Sequence, residues 1–163
     1  MNKLMDLIDE NDNIIGKIDV EEIHDKGILH RTTHTFIINS EGKLFCRKIS
    51  SKNKIYSGYW STSVGAHVFS DQNYDQVAEE SLRTNLGINC HLEMIGKVRV
   101  HDKYENEISA TYVGYSNEKI HILNSDIEDG RFFTIDEIKE LTKKHNVTPH
   151  LIISLKLYLE TRK

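Results

Sequence analysis

The chain has 163 residues, a net charge of −4 with its nine histidines counted as neutral, and ordinary shares of apolar (38%) and charged (28%) residues. This length suits one folded domain, expected over 1–163. The lack of a Lys/Arg run argues against a nucleic-acid partner, and no apolar run approaches the roughly 18 residues of a membrane span. Cys46 and Cys90 have no metal or redox spacing, which indicates reduced thiols and a cytoplasmic protein.

The first half of the sequence predicts strands separated by turns. Apolar runs over 4–8 and 14–18 flank a turn-rich segment and predict a hairpin. The stretch 24–27 is expected to form a turn. Further strands are then expected over 30–38, 44–47, 59–63 and 64–68.

The second half mixes helices and strands. Asn73 suits a helix N-cap and Gly87 the position after its last turn, so a helix is expected between them. Strands are expected over 90–100, 105–115 and, from a weaker pattern, 119–123. A helix is expected over 135–144, and Pro149 at a first helical position opens the last helix. Its predicted core stripe consists of Leu151, Ile152, Leu155, Tyr158 and Leu159.

The stretch 65–88 carries a recognisable motif. It contains Gly65-Ala66-His67-Val68, then Gln72 and Leu82, then Leu86-Gly87-Ile88. This order resembles the Nudix box, which reads Gly-x5-Glu-x7-Arg-Glu-apolar-x-Glu-Glu-x-Gly-apolar. The resemblance implies an α/β fold, the Nudix α/β/α sandwich, in which a mixed β-sheet is flanked by helices.

The same register shows which box positions depart from the pattern. Ala66 stands at the first glycine and Glu80 at the arginine. The glutamate positions hold Gln72, Ser81, Thr84 and Asn85. Magnesium prefers carboxylate oxygens, and residues spaced i, i+3 and i+4 share one helix face. Because that face offers hydroxyls and an amide, we predict that the conventional magnesium site is lost.

A second resemblance covers most of the chain, through Gly27-Ile28-Leu29-His30, 39–44, 58–64, Glu105-Asn106-Glu107 and Thr148-Pro149. These strings are similar to isopentenyl-diphosphate isomerase and its Nudix relatives. The resemblance implies a divalent metal held by three histidines and two glutamates, and the matching positions are His24, His30, His67, Glu105 and Glu107. Glu105 and Glu107 also lie two apart on a predicted strand, so they share a face. Imidazole with carboxylate suits zinc or manganese.

Other positions bear on catalysis and ligand binding. The resemblance implies a catalytic role for Glu107, but it places Gly65 where the isomerase has an acid–base cysteine and His150 where it has an aromatic residue. The basic loop with Arg47, Lys48, Lys52 and Lys54 is expected to receive phosphate oxygens, and the alternative is a solvated basic turn. His34 is expected to serve packing or a hydrogen bond.

Two hypotheses follow. One is a non-catalytic Nudix-like domain that binds a phosphorylated small molecule, such as a diphosphate, or a protein partner. The other is an enzyme, a Nudix hydrolase or an isomerase-like protein, that acts on a diphosphate through the His/Glu metal. The missing helix carboxylates favour the first, and the surviving His/Glu set favours the second.

Overall fold

The computed structural model of the chain describes residues 3–144 and 146–162, so the predicted domain bounds, 1 and 163, lie outside the described residues. The strands in this part of the chain are β1 (Leu4–Ile8), β2 (Ile14–Asp19), β3 (His30–Ile38), β4 (Leu44–Ile49), β5 (Trp60–Ser61), β6 (Val64–His67), β7 (Leu92–His101), β8 (Asn106–Tyr115) and β9 (Ile127–Phe133). The helices are α1 (Val20–Asp25), α2 (Tyr74–Leu86), α3 (Ile135–Lys143) and α4 (Pro149–Thr161).

The main sheet is mixed. Its strand order is β5-β4-β3-β8-β7, with β6 paired to β3 and β9 paired to β4. Strands β3 and β8 run parallel from the pair His30–Glu107 to the pair Ile38–Tyr115, whereas the other pairs are antiparallel. Strands β1 and β2 form the separate hairpin that the sequence predicted. The centre of the sheet is therefore β3, which has neighbours on both sides.

Helices cover both faces of this sheet, because side chains alternate along each strand. Phe36 and Ile38 of β3 pack on α3 and α4, in a cluster with Leu151 and Leu155. Ile37, between them, points to the opposite face and joins a cluster that includes Leu82 of α2. A central strand buried on both faces is continuously apolar over this stretch. The predicted sandwich of a mixed sheet flanked by helices is confirmed.

Helix α2 begins and ends where the sequence predicted. The Asn73 side chain accepts a hydrogen bond from the Gln76 backbone N–H, and the Gln76 side chain accepts one from the Asn73 N–H, which completes a capping box. Gly87 has φ +67°, a left-handed conformation that glycine adopts without strain. No helix in the described residues is long and apolar enough to cross a membrane.

Two local predictions were wrong, and one was right only in part. The turn expected at 24–27 is found at Lys26 and Gly27, whereas His24 and Asp25 are the last residues of α1. The segment 119–123 is not a strand; the N–H groups of His121 and Leu123 instead donate to the carbonyls of Leu86 and Asn85 at the end of α2. Ile152 is 44% exposed and does not belong to the core stripe of α4.

Strand β9 was not predicted, and its residues explain why. Gly130 follows Asp129 in mid-strand, a pair that usually signals a turn. In the fold this glycine makes room for an aromatic ring, because a Cβ at residue 130 would lie 2.2 Å from Cζ of Phe45 on the neighbouring strand. The glycine therefore serves a close approach between strands, a use that sequence alone does not reveal.

Candidate functional site

A cleft of about 290 Å³ opens beside β3, bounded by β6, the start of β8, the end of α2 and the start of α4. Its volume is near the lower end of the range for small-molecule sites. Polar side chains from these elements converge in it, among them His34, His67, Asn85, Glu107 and His150. The cleft is the candidate site.

Strand register and one short helix bring the five predicted metal ligands together. His30 of β3 is the direct partner of Glu107 on β8, and Thr32 of β3 is the partner of His67 on β6. Helix α1 adds His24. The ligand nitrogens of His24, His30 and His67 lie within 4.8 Å of one another, and the same limit holds for ligand atoms of His30, Glu105 and Glu107.

Three ligand atoms of this cluster are buried and have no hydrogen-bond partner. They are Nδ1 of His24, Nε2 of His30 and Oε2 of Glu105. His24 Nδ1 lies 3.6 Å from Glu105 Oε2, and His30 Nε2 lies 3.8 Å from Glu107 Oε2, both too far for hydrogen bonds. Buried polar atoms are normally satisfied, so three such atoms facing one space fit a bound cation. The donor set of imidazoles and carboxylates suits zinc or manganese.

Neighbouring groups fix the orientation of two ligands. His30 Nδ1 lies 2.8 Å from the Ile28 carbonyl oxygen, which can only accept, so Nδ1 carries the proton and Nε2 keeps its lone pair. Thr32 donates to Oε1 of Glu107 at 2.9 Å, and His150 Nε2 lies 2.8 Å from the same oxygen. Oε2, the other oxygen of Glu107, therefore points towards the histidines. Partners of this kind orient ligands in metal sites.

The electrostatics of the cluster also suit a cation. Burial lowers the pKa of His67 to about 4, and burial likewise lowers the pKa of His30, so both imidazoles are neutral and can donate lone pairs at pH 7. Burial and the adjacent Glu107 raise the pKa of Glu105 to about 10. Burial opposes the ionisation of Glu107, but the hydrogen bond from His150 holds its pKa below the usual range. A divalent ion would replace the proton that Glu105 otherwise retains.

The side chains at the helical glutamate positions of the box are engaged in hydrogen bonds. Ser81 Oγ donates to the Ala78 carbonyl at 3.0 Å, and Thr84 Oγ1 donates to the Glu80 carbonyl at 2.9 Å. Asn85 donates through Nδ2 to the Ser81 carbonyl at 2.7 Å, and its Oδ1 accepts from Asn124 Nδ2 at 2.5 Å. Ser81, Thr84 and Asn85 thus bond to carbonyls within α2, and they bring no negative charge.

His34 packs and hydrogen-bonds as predicted, and it also lines the cleft. Its ring stacks on His150 at a centroid distance of 4.3 Å, and its Nδ1 lies 2.7 Å from Thr62 Oγ1. Since the Thr62 hydroxyl donates to the Val64 carbonyl at 3.2 Å, it accepts from Nδ1–H, and Nε2 of His34 is unprotonated. Burial holds the pKa of His34 well below its usual range, which keeps the ring neutral.

The His34 ring leaves room only for glycine at position 65. A Cβ at residue 65 would lie 2.5 Å from Cε1 of His34 and 2.9 Å from its Nδ1. The His34 ring therefore fills the space that a side chain at position 65 would need. The pairing joins residues on adjacent strands, His34 on β3 with Gly65 on β6, and no local sequence pattern reports it.

Of the basic residues expected to receive phosphate, Arg47 lines the cleft, and its Nη1 donates to the Thr62 carbonyl at 2.7 Å. Lys48 lies 3.6 Å from Glu128 and is not a lining residue. Lys52 and Lys54 do not line the cavity either, but their neighbours Asn53 and Ile55 do, so phosphate binding by these lysines stays a prediction. Strand alternation after the buried Cys46 was the available signal for an inward arginine, but the cleft itself forms only from distant elements.

The chain is similar to two groups of known proteins. No known protein-family model matches it. It is 23% identical over 146 residues to isopentenyl-diphosphate Delta-isomerase 2 of Photorhabdus laumondii, covering 86% of this chain and 82% of the relative. It is 24% identical over 159 residues to an uncharacterised Nudix hydrolase of Pseudomonas aeruginosa, covering 97% and 94%.

Solved structures share the architecture. A protein from Deinococcus radiodurans has a TM-score of 0.80 at 17% identity, over 96% of this chain and 99% of that one. A MutT Nudix hydrolase from Burkholderia pseudomallei has a TM-score of 0.68 at 16% identity, over 79% and 97%. At such identities the likeness concerns the fold. The chain therefore has the Nudix fold and is a relative of the isopentenyl-diphosphate isomerases and Nudix hydrolases.

Proposed function

We propose that this chain binds a phosphorylated small molecule, with diphosphates as the leading class, beside a zinc or manganese ion. The ion is held by the five-residue set His24, His30, His67, Glu105 and Glu107. We do not expect the protein to catalyse conventional magnesium-dependent hydrolysis at α2. The observation that carries it is the group of three buried, unpartnered ligand atoms that face one another on His24, His30 and Glu105.

The roles of the residues follow from their contacts. A bound divalent ion supplies positive charge to phosphoryl oxygens. Thr32 and His150 hold the Glu107 carboxylate in place through Oε1. The Ile28 carbonyl fixes the tautomer of His30. At the other side of the cleft the Asn85 oxygen accepts a hydrogen bond from Asn124, and as a neutral amide it supplies no negative charge. The site thus suits binding and orienting an anion, and α2 has no carboxylate at the glutamate positions of the box.

Metal analysis tests the site. The purified protein should contain about one zinc or manganese ion per chain, measured by inductively coupled plasma mass spectrometry. A His67→Ala/Glu107→Ala double variant should lose it. His101→Ala is the matched control, because His101 is exposed on β7 and outside the cluster. Unchanged metal content in the double variant would remove the proposed site.

Two further measurements separate binding from hydrolysis. Pyrophosphate should raise the melting temperature of the metal-loaded protein. ADP-ribose and nucleoside triphosphates should not be hydrolysed when magnesium is added, since no carboxylate stands at the box positions Gln72, Ser81, Thr84 and Asn85. Magnesium-dependent turnover that is lost on substitution of Asn85 would contradict the proposal.

An enzyme working through the His/Glu metal is the second candidate. It is favoured by the three proton-handling side chains in the cleft, His34, Glu107 and His150, whose ligand atoms lie within 4.8 Å of one another. It is disfavoured by Gly65, which has no acid–base group. The test is to incubate the manganese-loaded protein with isopentenyl diphosphate and follow the allylic protons by NMR. We expect no isomerisation, and turnover lost in Glu107→Gln would favour the enzyme.

A further inference from the structure

Arg47 is the cation of the cleft without a carboxylate partner. It lies on β4, paired with Ser61 and Gly130 on the flanking strands. Its Nη1 donates to Thr62, at 2.7 Å to the carbonyl oxygen and 3.2 Å to Oγ1. Within residues 3–144 and 146–162 no carboxylate oxygen lies within 4.0 Å of its guanidinium.

Three other arginines are paired with carboxylates, and Arg83 and Arg162 are exposed and do not line the cleft. Arg31 is paired with Asp12 at 2.6 Å, Arg99 with Glu10, and Arg131 with Asp129 at 3.2 Å. Those three carry their own counter-charges and lie outside the cleft. Arg47 is therefore the arginine whose charge is left to be balanced by something that enters the cavity.

The guanidinium is charged and has free donors. Burial lowers the pKa of Arg47 to about 10, which leaves it protonated at neutral pH. Its Nε and Nη2 make no hydrogen bond to the described residues, although Nη1 is anchored on Thr62. An anchored guanidinium with unused N–H groups suits the oxygens of a phosphoryl group, which it can bind through two parallel hydrogen bonds. A partly desolvated charge also gains more from an anion than one in water does.

Among the described residues, the opposite wall of the cleft provides no positive charge that could replace that of Arg47. The end of α2 offers the Asn85 amide, already bonded to Asn124, and therefore holds no carboxylate that could recruit magnesium at that position. Asp126, the acidic residue on this side, is exposed to solvent. An anion in this half of the cleft meets Arg47 as its fixed positive charge.

We infer that Arg47 forms an oxyanion subsite that holds a phosphoryl group of the ligand directly, without magnesium. The ligand class is a small molecule that ends in a phosphate or diphosphate. This inference rests on the proposed function, since it concerns the same cleft. It adds that recognition of the anion is separable from the His/Glu metal.

Binding of inorganic pyrophosphate to protein treated with EDTA tests the inference. Isothermal titration calorimetry should give saturable binding, unchanged when magnesium is supplied in excess. Arg47→Met should weaken it about 10- to 100-fold, the effect of losing hydrogen bonds to a charged group. Arg47→Lys keeps the charge but not the paired donors, so its pyrophosphate affinity should lie between those of the wild type and Arg47→Met. Arg83→Met is the matched control, because Arg83 is exposed on α2 and outside the cleft.

Each contrary result overturns the inference in a recognisable way. Equal pyrophosphate affinity in Arg47→Met and wild type would exclude Arg47, and so would a loss confined to Lys52→Met or Lys54→Met. Binding that appears only with magnesium would exclude the magnesium-free mode. Circular dichroism establishes that each variant is folded, and Arg47→Lys decides the case if Arg47→Met is not. Metal content is measured in parallel, so the proposed His/Glu metal site is tested separately from the role of Arg47.

Discussion

The contact between Gly65 and His34 gives a quantitative prediction. In Gly65→Ala the new Cβ would lie 2.5 Å from Cε1 of His34, inside any ordinary carbon–carbon contact. Residue 65 does not have a positive φ, so the backbone accepts alanine and the cost comes from the ring alone. The ring must move, although it is hydrogen-bonded to Thr62 and stacked on His150.

The magnitude follows from the contacts that the displaced ring loses. Overpacking a filled core costs about 1–3 kcal/mol, and a lost buried hydrogen bond costs about 0.5–1.5 kcal/mol. We therefore expect Gly65→Ala to lower the free energy of unfolding by about 1–3 kcal/mol. In a chain of this size each kcal/mol lowers Tm by about 2–4 °C.

A double-mutant cycle separates this clash from a general loss of stability. In His34→Ala/Gly65→Ala the new methyl group enters the space that the ring vacates. The double variant should therefore be more stable than the sum of the single effects predicts, by a coupling of about 0.5–3 kcal/mol. Urea unfolding followed by far-UV circular dichroism measures all four proteins.

The control is Gly16→Ala in β2, where a Cβ would meet only the flexible Leu7 side chain, at 3.3 Å. We expect a change within about 0.5 kcal/mol there. If Gly65→Ala is as mild as this control, or if the two single effects simply add, the packing argument for Gly65 is refuted.

Three more predictions concern the site and its surroundings. Thr32→Val removes the donor to Glu107 and should weaken manganese or zinc binding about 10- to 100-fold in a chelator competition, whereas unchanged affinity would mean that Thr32 does not position the carboxylate. Asn85→Glu should not create tight magnesium binding, because the new carboxylate faces Asn124 and has no second acidic ligand at Ser81 or Thr84. Calorimetry measures this, and a single strong magnesium site would contradict it. Burial raises the pKa of the Cys46 thiol to about 12. At neutral pH the thiol should therefore resist alkylation by iodoacetamide until urea unfolds the chain, as measured by mass spectrometry. Rapid modification of the native protein would contradict the packing around Cys46.

Much of the fold could be predicted from local patterns. The caps Asn73 and Gly87 fixed α2, and Pro149 fixed the start of α4, because capping depends on residues next to one another. The failures occurred where a distant partner overrode the local signal. The Asp129-Gly130 pair resembles a turn but lies in β9, since Phe45 needs the space above the glycine. The segment 119–123 resembles a strand but bonds to the end of α2.

The candidate site divides in the same way. The resemblance to isopentenyl-diphosphate isomerase implied a metal-binding set of His24, His30, His67, Glu105 and Glu107, and the structure brings all five together. The position of Arg47 in the cleft, the Asn85–Asn124 hydrogen bond and the Glu107–His150 hydrogen bond were not predictable, because each depends on where separate elements meet.

The sequence by itself determined the element pattern, the resemblance to the Nudix superfamily and the absence of carboxylates from the glutamate positions of the box, because these are properties of residue type and spacing. Only the tertiary structure decided that the box positions are occupied by their own hydrogen bonds and that three buried ligand atoms face one another. It also decided that the His34 ring fills the space beside Gly65. These are relations between side chains far apart in sequence, and they exist only once β3 has β6 and β8 on either side.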